Sequence, residues 1–296
     1  MLDMTLARSP LIFRGDERTA YRDPALYHDG TRFHLFFTLV ENIPGGPYLR
    51  LAKSTSRDLT DWTVPRPLTP RDKTCNYSSP GNVIRFGGRY VLCLQTYPRE
   101  NGEKYANDRA RLFVMESDDL ETFSPPRLLR VKGQAVPPGD MGRMIDPYLA
   151  EDPAEKGLWW CFFKQNGVSA ARSRDLVTWE FAGHMDGGEN VCIFRRGSDY
   201  VMLHAPENGI GVRRSPDLRR WTDEGVLTLG QDRWPWARGR ITAGAALDVS
   251  ALCGQPMYVM VFHGSGPADE SVDFDKNASI GLVYSRDGRR WQWNGD

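Results

Sequence analysis

A seven-residue pattern, Ser-x-Asp-Leu-x-x-Trp, recurs five times along the chain, and each copy follows a stretch of β-type residues. The copies begin at Ser56, Ser117, Ser173, Ser215 and Ser285. Phe123 replaces the Trp of the second copy, and Gly288 replaces the Leu of the last. Strand-rich repeats of roughly 40 to 70 residues are typical of β-propellers, in which no repeat can bury its apolar face alone. The sequence therefore predicts an all-β fold, a five-bladed β-propeller with four-stranded antiparallel blades.

Short apolar runs fill the stretches between the copies, and helical periodicity is nearly absent. The runs at 33–37 and 158–163 have the length of a strand and are bounded by turn residues. We assign the five blades of a single domain, 1–296, to residues 23–66, 76–130, 143–182, 187–229 and 236–293. Residues 1–22 are expected to form an N-terminal arm or a strand that closes the ring. The repeated Asp and Trp are expected to be structural, the Asp by accepting backbone N–H groups and the Trp by packing between sheets.

The composition excludes several classes of protein. The 296 residues include 38 Lys and Arg and 38 Asp and Glu, and the absence of a basic stripe argues against a nucleic-acid partner. Hydrophobic residues make up 40% of the chain, which favours a large folded core over disorder. The five cysteines are odd in number and widely spaced, so we predict neither a disulfide framework nor a cysteine metal site.

The first residues and the hydropathy of the chain bear on its location. The chain does not begin with a basic segment followed by a long apolar run, as a secretory signal would. No stretch approaches the roughly 18 apolar residues of a membrane span. We therefore expect a cytoplasmic protein without a membrane partner, or a secreted one if a leader has been removed. The oligomeric state is left open.

Three predicted blades begin their innermost strand with a carboxylate. These residues are Asp23 in Arg-Asp-Pro, Asp146 in Ile-Asp-Pro and Glu189 in Gly-Gly-Glu-Asn, whereas the second blade offers Ser79 before Pro80. Innermost strands line the central channel of a propeller, so these carboxylates are expected to converge at one end of it. Hydrolysis of a glycosidic bond needs one carboxylate as base or nucleophile and one protonated carboxyl for the leaving oxygen. A third acid nearby raises the pKa of that carboxyl, so three carboxylates suit this chemistry.

This combination of blade pattern and inner-strand acids resembles the five-bladed propeller glycosidases, above all glycoside hydrolase family 43 and its relatives in families 32, 68, 117 and 130. The resemblance implies an inverting hydrolase in which Asp23 is the general base and Glu189 the general acid. Asp146 would adjust the pKa of the acid and orient it. The resemblance also implies a carbohydrate partner, a small oligosaccharide or terminal sugar of the arabinofuranosyl or xylosyl type.

The chain departs from the family 43 pattern at two places. The family has Glu-Gly-Pro where this chain has Glu189-Asn190-Val191. The fifth blade of the family often supplies an axial His, sometimes as a calcium ligand, but residues 238–244 contain none. We therefore predict no metal or other cofactor, with axial calcium as the disfavoured alternative. Glu207 competes for the acid role, although it follows the second strand of its blade and is ranked below Glu189.

Six further residues are candidates for binding the substrate. They are Arg22, Asn76, Tyr77, Trp236, Arg240 and His263. Trp236 would offer its ring face to a sugar, and Asn76 and Tyr77 precede the second inner strand, from which they could reach hydroxyl groups. An Arg that enters a central cavity needs an anion as partner, which is the argument for Arg240.

Three alternatives remain open at this stage. Families 32 and 68 share the fold but retain configuration, with the first-blade Asp as nucleophile. A phosphorylase like those of family 130 would need a basic phosphate pocket, and Arg22, Arg143, Arg238 and Arg240 could form one. A propeller that only binds sugar or protein would use the inner-strand acids as structural hydrogen-bonding groups.

Overall fold

The computed structural model describes residues 2–4, 9–266 and 274–293, and nearly all its regular structure is β. The first sheet contains β2 (Thr19–His28), β3 (Phe33–Glu41), β4 (Tyr48–Ser56) and β5 (Arg66–Pro67). The second contains β6 (Val83–Phe86), β7 (Arg89–Gln95), β8 (Leu112–Ser117) and β9 (Arg127–Leu128). The third contains β10 (Ile145–Glu151), β11 (Trp159–Lys164), β12 (Val168–Ser173) and β13 (Glu180–Met185).

Two more sheets complete the ring. The fourth contains β14 (Glu189–Arg196), β15 (Asp199–Ala205), β16 (Ile210–Ser215) and β17 (Thr222–Leu227). The fifth contains β18 (Arg240–Asp248), β19 (Tyr258–Ser265), β20 (Ser279–Ser285) and β1 (Leu11–Phe13). A single turn of helix, α1 (Ser250–Cys253), connects β18 to β19. No helix among the described residues has the length and apolar character needed to cross a membrane.

The five sheets form a closed ring, which confirms the predicted five-bladed propeller. All paired strands are antiparallel, and the first strands of neighbouring sheets contact one another in the order β2, β6, β10, β14, β18 and back to β2. Residues far apart in sequence therefore become neighbours around a single axis.

The N-terminal segment closes the ring at its outer edge. Strand β1 pairs with β20, with Leu11 opposite Gly281, so the first and last strands of the chain share the fifth sheet. Of the described residues in the predicted arm at 1–22, only 11–13 form this ring-closing strand, because 19–22 already belong to β2. The fourth strand of the last blade is thus β1, and Gln292 adds an isolated antiparallel bridge to Tyr284 on β20.

The repeated pattern forms a hydrogen-bonded turn at the end of the third strand of each blade. In the first copy the Ser56 hydroxyl accepts the Leu59 N–H at 2.9 Å, and Asp58 Oδ1 accepts the N–H groups of Thr60 and Asp61 at 2.8 and 2.9 Å. The Asp thereby satisfies backbone donors that no strand partner reaches, as expected for an Asx-type turn.

The fourth position of the pattern requires a left-handed backbone. The φ values are +67° at Leu59, +61° at Leu120, +56° at Leu176, +61° at Leu218 and +65° at Gly288. A branched side chain pays a steric cost there, which burial of each Leu side chain offsets, whereas Gly adopts this conformation freely. The replacement of Leu by Gly288 in the last copy therefore preserves the turn.

The core lies between the faces of neighbouring blades. Phe36, Phe162 and Phe262 occupy the second strands of their sheets, and all three are fully buried. Apolar packing of this kind holds the blades at fixed angles around the axis. The ends of the first strands are therefore rigid supports for side chains at the centre.

Candidate active site

A bulge at the same place in the first strand of four blades positions the central side chains. The register shifts between Arg22 and Ala25 in β2, and the equivalent shifts in β10, β14 and β18 follow Ile145, Glu189 and Thr242. Bulges of this kind bend a strand and re-aim the side chain that they contain. The residues inside three of them have positive φ, with +51° at Asp23, +54° at Asp146 and +52° at Asn190.

Asp23, Asp146 and Glu189 line one pocket at the centre of the ring, as the sequence predicted. Asp23 and Asp146 are only 7% and 6% exposed. The Glu189 side chain is 38% exposed, and Glu189 is the first residue of β14, before the bulge. Two buried carboxylates and one accessible carboxylate therefore face a common space.

Hydrogen bonds connect the two buried carboxylates around the axis on both sides. On one side, the Thr38 hydroxyl donates to Asp23 Oδ2 at 2.7 Å and accepts the Ser79 N–H at 2.8 Å, and the Ser79 hydroxyl donates to Asp146 Oδ1. On the other side, Asn190 Nδ2 donates to Asp23 Oδ1 and its backbone N–H donates to Asp146 Oδ2, both at 3.2 Å. The result is a closed ring of five residues from four blades.

Asp23 is held in its ionised form. Burial opposes ionisation, but the Arg22 guanidinium, whose Nε lies 3.2 Å from Asp23 Oδ2, and the Thr38 hydroxyl together bring the pKa of Asp23 below its ordinary value. The Asp23 backbone N–H donates to His263 Nδ1 at 3.1 Å. Burial, with Arg22 and Arg240 nearby, lowers the pKa of His263 to about 3, so its ring is neutral. Because Nδ1 accepts the Asp23 N–H, the ring proton is on Nε2.

The pKa of Asp146 is shifted in the opposite direction from that of Asp23. Burial first, and then the negative charges of Glu189 and Asp23, raise the pKa of Asp146 to about 7. Its backbone N–H donates to Gln95 Oε1 at 2.6 Å, which anchors the bulge of β10 to the second blade. The pocket thus contains one carboxyl that is ionised and one that exchanges its proton near neutral pH.

Glu189, and not its competitor Glu207, faces the two buried acids. Glu207 is exposed and does not line the pocket, and its backbone oxygen accepts a hydrogen bond from Arg240 Nε at 2.6 Å. The Nη2 atom of the same Arg240 lies 3.9 Å from Glu189 Oε1. Arg240 therefore spans the two glutamates, but only Glu189 shares the pocket.

Two of the six residues predicted to bind substrate line the pocket. Arg22 and His263 do so, although both also support Asp23. Arg22 in addition lies 3.3 Å from Asp275 Oδ1. Arg240 is adjacent through Glu189. The fifth blade thus supplies a histidine to the centre, from β19 rather than from the stretch at 238–244.

The other three predicted residues lie elsewhere for identifiable reasons. Trp236 is only 8% exposed and stacks on Trp234 at 5.4 Å between ring centroids, so its faces are used in the core and not for sugar binding. Asn76 is buried, and its Oδ1 accepts the Leu49 N–H at 3.0 Å. Tyr77 packs edge-on against Phe113 at 5.6 Å. None of the three lines the pocket, because local chain position does not reveal which face a side chain takes.

Several pocket residues were missed or underrated by sequence reasoning. Tyr97, Tyr105, Asn190 and Thr242 line the pocket, as does Arg143, which the sequence suggested only for a phosphorylase. Strand geometry could have predicted other residues of the site. In an antiparallel blade the second strand ends beside the start of the first. Polar residues near the ends of second strands, such as Thr38 and Gln95, could therefore have been predicted, as His263 was.

Among the residues that the structure describes, no group of three or more His, Cys, Asp or Glu side chains is arranged to hold a metal ion. His263 already uses Nδ1 to accept the Asp23 N–H. The described residues therefore do not fit a three-ligand metal centre at the axis, and the expectation of no cofactor stays a prediction.

Solved structures share this fold over nearly the whole chain. An exo-β-1,3-galactanase from Clostridium thermocellum matches with a TM-score of 0.63 and 14% identity, covering 91% of this chain and 62% of that one. The family 43 protein BlXynB from Bacillus licheniformis matches with a TM-score of 0.66 and 14% identity, covering 97% and 57%. A family 43 β-1,3-galactosidase solved with galactodeoxynojirimycin matches with a TM-score of 0.64 and 12% identity, covering 95% and 99%.

The chain has the propeller fold of glycoside hydrolase family 43 structures. That likeness was expected from the blade pattern and is confirmed at the level of fold. The chain spans less than two thirds of the length of the first two of these proteins. No protein-family model and no curated protein sequence matches it. Identities of this size establish shared architecture, and the chemistry must be argued from the pocket itself.

Proposed function

We propose that this protein is a glycoside hydrolase that acts on terminal sugars or short oligosaccharides with inversion of configuration. The observation that carries the proposal is the pairing, in one pocket, of an ionised buried carboxylate, Asp23, with a carboxyl whose pKa is near neutrality, Asp146, beside the accessible Glu189. Perturbed carboxyls with opposite tendencies in one cleft are what acid–base catalysis requires.

In this mechanism Asp23 is the general base. Its carboxylate would take a proton from a water molecule as the water attacks the anomeric carbon. Arg22, Thr38 and Asn190 each interact with this carboxylate, which keeps it ionised and fixes its orientation. The neutral His263 ring supports the backbone of Asp23 without adding charge.

Glu189 is the general acid. It would donate a proton to the leaving oxygen while the glycosidic bond breaks, and its partial exposure leaves room for the rest of the substrate. Asp146 faces Glu189 across the pocket, and the charge of Glu189 contributes to the raised pKa of Asp146, so the two carboxyls interact electrostatically. Asp146 also stays oriented by Ser79 and by the Asn190 backbone.

The substrate class rests on analogy. The fold neighbours include an exo-β-1,3-galactanase and a β-1,3-galactosidase, so galactosides join the arabinofuranosides and xylosides expected from the sequence. The pocket is lined by residues of several blades and includes the exposed Tyr105, whose ring can pack against a sugar ring. This arrangement favours attack at a chain end over attack within a polymer.

The test is activity on aryl β-galactosides, β-xylosides and α-L-arabinofuranosides, together with short oligosaccharides. We expect Glu189→Gln to lower kcat/KM by about 100-fold or more, and by less on dinitrophenyl glycosides, whose leaving group needs no proton. Glu207→Gln is the matched control and should behave as the wild type. Full activity of Glu189→Gln would remove Glu189 from the mechanism. Inactivity of the wild type on the whole panel would favour the alternative of a propeller that only binds sugar or protein.

A further inference from the structure

Arg143 is distinguished from the other guanidinium groups of the pocket by its partners. Arg22 pairs with Asp23 at 3.2 Å and with Asp275 at 3.3 Å, and Arg240 lies 3.9 Å from Glu189 Oε1. Arg143 also lines the pocket, but no carboxylate of the described residues lies within ion-pairing distance of it.

The Arg143 side chain is nevertheless held in place. Its guanidinium carbon lies 5.8 Å from the centroid of the Tyr97 ring, and that of Arg22 lies 6.0 Å from the same ring. Two cations therefore lie next to one aromatic ring. Asp275 forms ion pairs with Arg22 through Oδ1 and with Arg99 through Oδ2. Arg143 is half-buried, three residues before Asp146.

The charged groups around the pocket also indicate that Arg143 lacks an anionic partner in the part of the chain that the structure describes. Among the described residues, the cations that line the pocket are Arg22 and Arg143, and Arg22 pairs with Asp23. Arg240 lies beside the pocket, 3.9 Å from Glu189 Oε1. A partly desolvated cation without an anion is costly, and a planar guanidinium is suited to hold two oxygens of one carboxylate or phosphate.

We propose that Arg143 binds an oxyanion in the sugar pocket, either the carboxylate of a uronosyl residue at the end of the substrate or free phosphate that replaces water. This inference rests on the proposed function for the assignment of the pocket as the sugar site. In the phosphate case, a phosphate oxygen attacks the anomeric carbon as the glycosidic bond breaks. The leaving oxygen takes a proton from Glu189, and a sugar 1-phosphate is released.

Direct binding tests the proposal without requiring turnover. Titration calorimetry would use galacturonate, glucuronate, galactose, xylose and inorganic phosphate as probes. We expect an anionic probe to bind about tenfold or more tightly than the neutral sugars, because hydrogen bonds to charged groups are the stronger ones. Arg143→Met should remove that preference, and Arg143→Lys should restore part of it.

The control variant is Arg195→Met. The Arg195 guanidinium lies 5.1 Å from the Tyr200 ring centroid, so it has the same arginine–tyrosine geometry, but Arg195 is exposed on the outer part of β14 and does not line the pocket. It should bind every probe as the wild type does. Equal binding of neutral and anionic sugars, no binding of any anion, or unchanged anion binding in Arg143→Met would each overturn the proposal.

Kinetics separate the two sources of the anion and separate this inference from the proposed function. Turnover of aryl uronides without phosphate, lost in Arg143→Met, identifies the carboxylate. Turnover that requires phosphate and yields a sugar 1-phosphate identifies phosphorolysis. Hydrolysis of neutral glycosides with no preference for uronides and no need for phosphate, at the same rate in wild type and Arg143→Met, would uphold the hydrolase and overturn the anion site. Anion binding that depends on Arg143, without any turnover, would uphold the anion site and overturn the hydrolase.

Discussion

Asn190 Nδ2 lies 3.2 Å from Asp23 Oδ1, so a side chain of the fourth blade helps to hold the candidate base of the first. The backbone N–H of Asn190 binds Asp146 from the third blade. Asn190 stands where family 43 is expected to have Gly, and its φ of +52° is one that Gly adopts freely and Asn tolerates. The departure therefore keeps the backbone conformation and adds a hydrogen bond to Asp23.

We expect Asn190→Gly to separate the two contacts of this residue. Gly keeps the backbone N–H and the positive φ but removes the donor to Asp23. Loss of a donor to the ionised form raises the pKa of Asp23, so the acidic limb of the kcat/KM profile should move to higher pH, with a loss of about tenfold at its plateau. Asn166→Gly is the control, because Asn166 also has positive φ, at +51°, but lies outside the pocket. An unshifted acidic limb would count against positioning by Asn190.

Asp146→Asn should lower activity while changing how stability depends on pH. The folded-state pKa of Asp146, about 7, is above its ordinary value of 3.8, so its contribution to stability is present below about pH 4 and is lost as the pH rises towards 7. The Tm of the wild type should therefore fall relative to that of Asp146→Asn between pH 4 and pH 8. We expect kcat/KM to drop by about 100-fold or more. Calorimetric scans across this range check the sign, and a constant difference in Tm would contradict the raised pKa.

The stereochemistry of the product tests the role of Asp23. With Asp23 as base, water attacks the face opposite the leaving group, and the first product has the inverted anomeric configuration. Proton NMR of the anomeric region within the first minutes of reaction, before mutarotation, reports the outcome. Retention would instead make Asp23 a nucleophile, as in families 32 and 68.

The repeated turn should matter for stability and not for chemistry. Asp58→Ala leaves the N–H groups of Thr60 and Asp61 without their acceptor, so we expect a loss of about 1–2 kcal/mol in the free energy of unfolding. Asp61→Ala is the matched control, because the Asp61 side chain is exposed in the same turn. Denaturant unfolding measures both variants. Equal stability of the two would mean that water replaces the Asp58 acceptor at no cost.

The propeller was predictable because its signal is local and repeated. The turn at Ser56 to Trp62 depends on hydrogen bonds within a few residues, so each copy is visible in the sequence as a fixed pattern. The short apolar runs between the copies, which are bounded by turn residues, are local signals of the same kind. The closure of the ring by β1 was less predictable, since its pairing with β20 joins residues about 270 positions apart, as Leu11 and Gly281 are.

The candidate acids were predictable because each begins an inner strand, and a propeller brings such positions together. By itself, the sequence determined the fold class, the number of blades and the identities of Asp23, Asp146 and Glu189 as pocket residues. Only the tertiary structure decided what surrounds them, including the Thr38, Ser79 and Asn190 hydrogen bonds, the core packing of Trp236 and the exposure of Arg143 to the pocket. The physical reason is that local periodicity encodes strands and turns, whereas hydrogen-bond partners, burial and pKa values depend on atoms that different blades contribute to the same small volume.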